Sequence, residues 1–100
     1  MRQGTTPKHI FTLPFAASLA SVIQITYQQG NDIVLQKNTG DCALDGNTVS
    51  VELTQEDTFK FDSRQGVMIQ IRVLTAGGDA LASDIIRISV GRCLDTEVLE

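Results

Sequence analysis

The chain has 100 residues, 42% of them hydrophobic and 20% charged, the make-up of one globular domain built on a single core. Its net charge of −4, with Lys8, Lys37, Lys60, Arg64, Arg72, Arg87 and Arg92 scattered singly, leaves no basic stripe for phosphates and argues against nucleic-acid binding. No apolar run could span a bilayer and no signal-peptide pattern opens the chain, so the expectation is a protein made in the cytoplasm that leaves it only as part of an assembly.

From Met1 to Lys8 the residues Gly4, Thr5, Thr6 and Pro7 read as an extended, poorly held lead. His9–Leu13 is the first predicted strand, stopped by Pro14, which lacks the amide a ladder needs. Phe15, Leu19 and Ile23 recur every four residues, but the segment is too short for a free-standing helix, so a single turn or bend is expected over Phe15–Ser21. A strand over Val22–Gln28 places Ile23, Ile25 and Tyr27 inward and Gln24 and Thr26 outward. Gln29-Gly30-Asn31 turns it into a strand over Asp32–Lys37, with Ile33 and Leu35 inward, and Asn38-Thr39-Gly40 turns again. Asp41–Leu44 and Asn47–Thr54 then form a hairpin about Asp45-Gly46, a type I′ signal, with Val49, Val51 and Leu53 inward.

Thr54-Gln55-Glu56-Asp57 has the form of a capping box, in which hydroxyl and carboxylate each satisfy a backbone amide. Only one turn can follow, because Phe59, Lys60 and Phe61 alternate again, and such a corner carries the chain from one sheet to the other. The strongest periodic stretch is Val67–Thr75, where Val67, Ile69, Ile71 and Val73 share one face and Met68, Gln70 and Arg72 the other. Ala76-Gly77-Gly78-Asp79 is hairpin chemistry, leading to a second run with Ile86, Ile88 and Val90 inward and Arg87 and Ser89 outward. Asp84 shares the parity of Ile86, and a bulge near Ser83 would turn it outward. The tail from Gly91 to Val98 has no usable period. Leu99-Glu100 has the form of a tag remnant, which places the domain at residues 1–98.

Seven short strands, frequent turns and no long helix predict an all-β fold, two antiparallel sheets packed as a sandwich. Its outline is immunoglobulin-like or fibronectin-like, although tryptophan and a Cys-Trp-Cys pattern are missing; a small open barrel is the alternative.

Arg2-Gln-Gly-Thr-Thr-Pro7 with Phe11-Thr-Leu-Pro-Phe15, Val51-Glu-Leu-Thr-Gln-Glu-Asp-Thr58, and Ile69-Gln-Ile-Arg-Val73 with Ala80-Leu-Ala-Ser-Asp84 resemble a group of small uncharacterised proteins. These are encoded in bacterial prophages among virion-structure genes, and the likeness spans nearly the whole chain. The chain also resembles the β-domains of phage tail and baseplate proteins. The resemblance implies a structural or interaction role and attaches no active residue.

The chemistry-bearing residues are sparse. His9 is the only histidine and has no assignable triad partners, and with Cys42 and Cys93 it makes no zinc pattern. The two cysteines, far apart in sequence, are expected as free thiols packed as small apolar groups. Asp32, Asp41, Asp45, Asp62 and Asp79 lie in turns, and Asp45-Gly46-Asn47 most resembles a calcium cluster, but hairpin geometry already accounts for it. Gly77-Gly78 is read as a turn and not a phosphate cradle, since no helix follows. Glu56 and Asp57 fit a corner motif better than a catalytic pair. Arg72 and Arg87, on the outer faces of neighbouring strands, could meet acids on a partner, against the plainer reading of a solvated face. No catalytic, cofactor-binding or metal residue is assigned.

The expectation is therefore a non-enzymatic structural or interaction module, a prophage-encoded virion, tail-associated or assembly component whose partners are proteins, itself or other virion proteins. The alternative is a small loop-based carbohydrate- or peptide-binding module, against which stands the lack of exposed tryptophan and tyrosine; an enzyme ranks third. Self-association or docking is expected through a strand edge or outer face. Lys8 and Pro7 guard one possible edge and Lys37 another, whereas the C-terminal strand offers Ile85, Ile86 and Ile88 with only Arg87 among them. Leu81 and Ile85 are expected in the open on its outer side, unless Gly91–Val98 folds across that strand.

Overall fold

A computed structural model describes residues 1–100. Its elements in chain order are β1 (Lys8–Thr12), a 3-10 turn (Ala17–Leu19), β2 (Ala20–Gln29), β3 (Asp32–Asn38), a 3-10 turn (Thr39–Asp41), β4 (Cys42–Asp45), β5 (Thr48–Glu52), α1 (Gln55–Phe59), β6 (Val67–Thr75), β7 (Ala80–Ala82) and β8 (Ile86–Ile88). One sheet has three strands in the order β1-β5-β4; the other has five, running β3-β2-β6-β7 with β8 also paired to β6. All strand pairs are antiparallel. The molecule is an immunoglobulin-like β-sandwich in outline, and because β7 and β8 are two pieces of one interrupted margin, it has the seven strand positions the sequence implies.

The alternating residues form the core. Ile23, Ile25 and Tyr27 of β2 face Val49 and Val51 of β5 between the sheets, all of them almost fully buried, with Val67, Ile69, Ile71 and Val73 of β6 alongside. The Thr54 hydroxyl accepts from the Asp57 amide at 3.0 Å, and the Asp57 carboxylate accepts from the Thr54 amide at 3.0 Å, so the expected capping box starts α1 and carries the chain between sheets. Phe59 belongs to this helix and is followed by a bend, so Phe59–Phe61 is not extended; Phe61 still reaches the core, its ring 5.8 Å from that of Tyr27.

Three further local expectations are corrected. Ile33 is 58% exposed, because the β2–β3 register shifts between Tyr27 and Gln28. Tyr27 pairs with Leu35 and Gln28 with Ile33, which leaves Val34 as the extra residue and turns Ile33 to the outer face. The β4–β5 turn centres on Gly46 and Asn47, closed by Asp45 opposite Thr48. Positive φ is confined to Gly46 (+58°), whereas a type I′ turn needs it at both central residues.

The lead is not loose. Met1–Gln3 lies parallel to Ser89–Gly91: the Met1 ammonium donates to the Ser89 carbonyl (3.0 Å), the Gly91 amide to Met1 (2.6 Å) and the Gln3 amide to Gly91 (3.0 Å). The Gln3 side chain adds bonds to the Phe61 carbonyl and the Cys93 amide, and Gly4, at φ +74°, passes so close over Phe59 that a β-carbon would lie 2.7 Å from the ring. The tail does not cover β7 and β8, so Leu81 and Ile85 stay exposed, as expected. It runs to α1, where Gln55 donates to the Leu99 carbonyl and accepts from its amide.

Candidate functional site

The margin strands define the site. β1 borders the three-stranded sheet, while β7 and β8 border the five-stranded one, and no strand bridges them. A groove of about 440 Å³ opens between these borders. Ile10, Phe11, Leu13 and Phe15 form one wall, Leu81, Ala82 and Ile86 the other, and Ile71 and Val73 the floor.

Register explains why this groove is apolar. Leu81 pairs with Val73 and Ile86 with Ile69, so both side chains stand on the core face of their sheet. Val73 and Ile69 are 5% and 4% exposed, yet Leu81 and Ile86 are 47% and 45% exposed, because the three-stranded sheet stops short of them. Ile10, across the opening, is also exposed. A contiguous apolar surface of this kind on a folded domain generally has a use. The groove holds no titratable side chain; Thr12 and Ser83 are its polar members. It can take apolar side chains of an extended segment, while the margin of β7 offers backbone donors and acceptors.

The margin breaks at Ser83. Its amide donates to the Ile71 carbonyl, and its hydroxyl accepts from the Ile71 amide at 3.2 Å in place of a backbone carbonyl. The chain then resumes pairing at Ile86, and Asp84 is exposed, as the expected bulge requires. Ile85 is 49% exposed and borders a shallow polar groove on the outer face with Arg72, Met68 and Gln70. Arg72 and Arg87 lie on adjacent strands, both exposed and neither in an ion pair.

The titratable residues gather elsewhere. His9 faces inward from β1 and its Nδ1 lies 2.7 Å from the Tyr27 hydroxyl, which is completely buried. Burial, together with the positive chain terminus, pushes the His9 imidazole below its ordinary value. Burial, with the negative charge that Cys42 and Asp57 can carry, pushes the Tyr27 phenol up, so Tyr27 stays protonated and the His9–Tyr27 hydrogen bond joins two uncharged groups. Lys37, inward at the end of β3, pairs with Asp57 at 2.9 Å. Burial alone would raise the Asp57 carboxyl, but hydrogen bonds from Thr54 and Lys37 outweigh it and hold it below the ordinary range. The ion pair thus ties β3 to α1 across the sheets.

The acids in turns stay apart and serve local structure. Asp41 accepts from the Asn38 amide at 2.9 Å, and Asp62 from Arg64, amide and guanidinium alike. The Asp79 carbonyl accepts from the Thr75 amide at 2.9 Å and closes the Gly77-Gly78 turn. Asp32 and Asp45 flank their own hairpin turns. Cys42 and Cys93 are free thiols, each half-buried and turned to a backbone carbonyl, of Asn38 and Asp95 respectively.

Leu81 and Ile85 are both exposed as expected, but only Ile85 is on the outer face; Leu81, paired with Val73, stands on the core face and lines the groove. Sequence reasoning missed Ile10, Phe15 and Ile86 as groove residues, since parity gives a face and not whether another sheet lies over it. It also missed the Lys37–Asp57 pair, for which the signal was present: Lys37 shares the inward parity of Leu35.

No helix is long and apolar enough to cross a membrane. No family model matches the chain, and no curated protein matches it. Among solved structures, the chain is similar to the V domain of amphioxus IgVJ-C2, at 16% sequence identity and a TM-score of 0.37, over 91% of this chain and 95% of that one.

Proposed function

We propose that the chain is a non-enzymatic interaction module, a prophage-encoded virion or assembly component that contacts other proteins through the open margin between β1 and β7–β8. The observation that supports it most is the apolar groove, where Leu81 and Ile86 stand on a core face with no sheet above them. Its lining suits protein and not sugar: few polar groups are available to hydroxyls, and Phe11 and Phe15 form part of a wall that apolar side chains can fill. The virion setting is supported by the sequence resemblance to prophage-encoded proteins found among virion-structure genes.

Mass spectrometry of particles purified after prophage induction tests the reading. The expected result is this chain in fixed ratio to tail or head proteins, reduced when Leu81→Lys is introduced. Its absence from particles, with particle assembly unchanged on deletion of the gene, would contradict the proposal.

A further inference from the structure

We infer that an extended segment of another protein completes the three-stranded sheet, pairing with the free edge of β1 and laying alternate apolar side chains over Leu81 and Ile86. The inference rests on the reading of the module as a protein-contact domain and names how the partner is held. Three observations carry it.

The first is a missing strand. The larger sheet has four strand positions, β3, β2, β6 and the margin shared by β7 and β8, whereas the facing sheet has three. Leu81 and Ile86 stand on the core face of that margin, about half exposed, with no strand above them. A strand added beside β1 takes the fourth position of the short sheet and lies over both. A strand added beside β7 widens the larger sheet and leaves both side chains uncovered.

The second is the backbone of β1, which pairs with β5 alone. The Leu13 amide donates to the Asn47 carbonyl, and the Leu53 amide to the Pro7 carbonyl. In the β1–β5 register these bonds assign the odd-numbered residues to β5, because an antiparallel ladder alternates bonded and non-bonded pairs. Lys8, Ile10 and Thr12 therefore turn their amides and carbonyls to the open side, where Ile10 and Thr12 line the groove. Pro14, the next residue in that series, has no amide and ends it. Three residues spaced by two, over about 17 Å of strand, match the backbone of one extended segment. A helix bonds its own backbone internally and cannot use them.

The third is that the chain's own ends are held elsewhere. Met1–Gln3 is bonded beside Ser89–Gly91, and Gln55 of α1 bonds both the amide and the carbonyl of Leu99. The groove has no titratable side chain. The partner residues that face it are therefore apolar, with polar residues between them facing water.

Selection of a random nonapeptide library on the whole protein tests the inference, followed by amide hydrogen exchange with the most enriched peptide bound. Enriched peptides are expected to alternate apolar and polar residues and to lack proline at their centre. The Ile10 and Thr12 amides are expected to exchange fast in the free protein and about tenfold or more slower with peptide bound. The Ala82 amide, on the free edge of β7, is expected to stay fast. Ile10→Pro removes the central donor, a change an edge strand tolerates, and is expected to weaken peptide binding about tenfold. Ala82→Pro, the same change on the edge of β7, is expected to leave binding within about twofold. Should Ile10→Pro fail to fold, hydrogen exchange in the native chain decides alone. No enrichment, an enriched pool with a helical period or none, or protection at Ala82 in place of Ile10 and Thr12 overturns the inference. So does slow exchange of Ile10 and Thr12 without peptide, which would mean that this chain or a second copy already covers the edge. Incorporation into particles and its dependence on Leu81 are read separately, so a partner that docks as a folded surface keeps the functional proposal and removes this inference.

Discussion

His9 shows how one inward polar residue sets a pH dependence of stability. Its imidazole is hydrogen-bonded to the buried Tyr27 hydroxyl and lies below its ordinary value of 6.5, mainly because burial disfavours the charged ring. The unfolded chain therefore binds this proton more tightly than the folded one. Stability from His9 is complete above the unfolded value and falls as pH drops from 6.5 toward the lower folded value. Asp57 acts in a second, more acidic window. Its folded value lies below 3.8, so its contribution is present above 3.8 and is lost as pH falls through the folded value. Denaturant unfolding from about pH 7.5 to about pH 5 is expected to show falling stability for the native chain and little slope for His9→Gln. Equal slopes in the two proteins would remove His9 as the cause.

The elements show what periodicity can and cannot locate. Parity identified the buried faces of β2, β5 and β6 because each runs without interruption over the core, and the capping box at Thr54 was legible from four residues. The bulge between Tyr27 and Gln28 was not legible, since Ile33, Val34 and Leu35 are all apolar and any register buries something. The two residues assigned the same inward parity therefore separate in their effects. Leu35→Ala is expected to cost about 2–5 kcal/mol, as core truncations do, whereas Ile33→Gln, on the outer face, is expected to change stability by less than about 0.5 kcal/mol. Comparable losses in denaturant titration would place Ile33 in the core and remove the bulge. The lead was misread for a related reason: Gly4, Thr5, Thr6 and Pro7 have a loop composition, but backbone pairing of Met1–Gln3 along Ser89–Gly91 depends little on side-chain type.

At the scale of the whole molecule, the two sheets differ in width, three strand positions against four, and the difference leaves one side of the core uncovered. Composition and period carried the sandwich itself, because the core residues alternate and turns separate them. The candidate site was half legible. Leu81 and Ile85 stood out as apolar residues near an unguarded edge, but the groove depends on which borders face each other, and that is a property of topology. The opposite side is closed by the Lys37–Asp57 pair and α1, so the asymmetry is built into the fold.

The openness of that margin is most directly tested by methyl-resolved NMR with a soluble paramagnetic agent, read at low protein concentration. At low concentration the methyl groups of Ile10, Leu81 and Ile86 are expected to relax strongly, while those of Ile23 and Ile25, buried between the sheets, stay protected. Protection of Leu81 and Ile86 equal to that of Ile23 already at low concentration would mean that the margin is closed in the single chain, and would contradict the account.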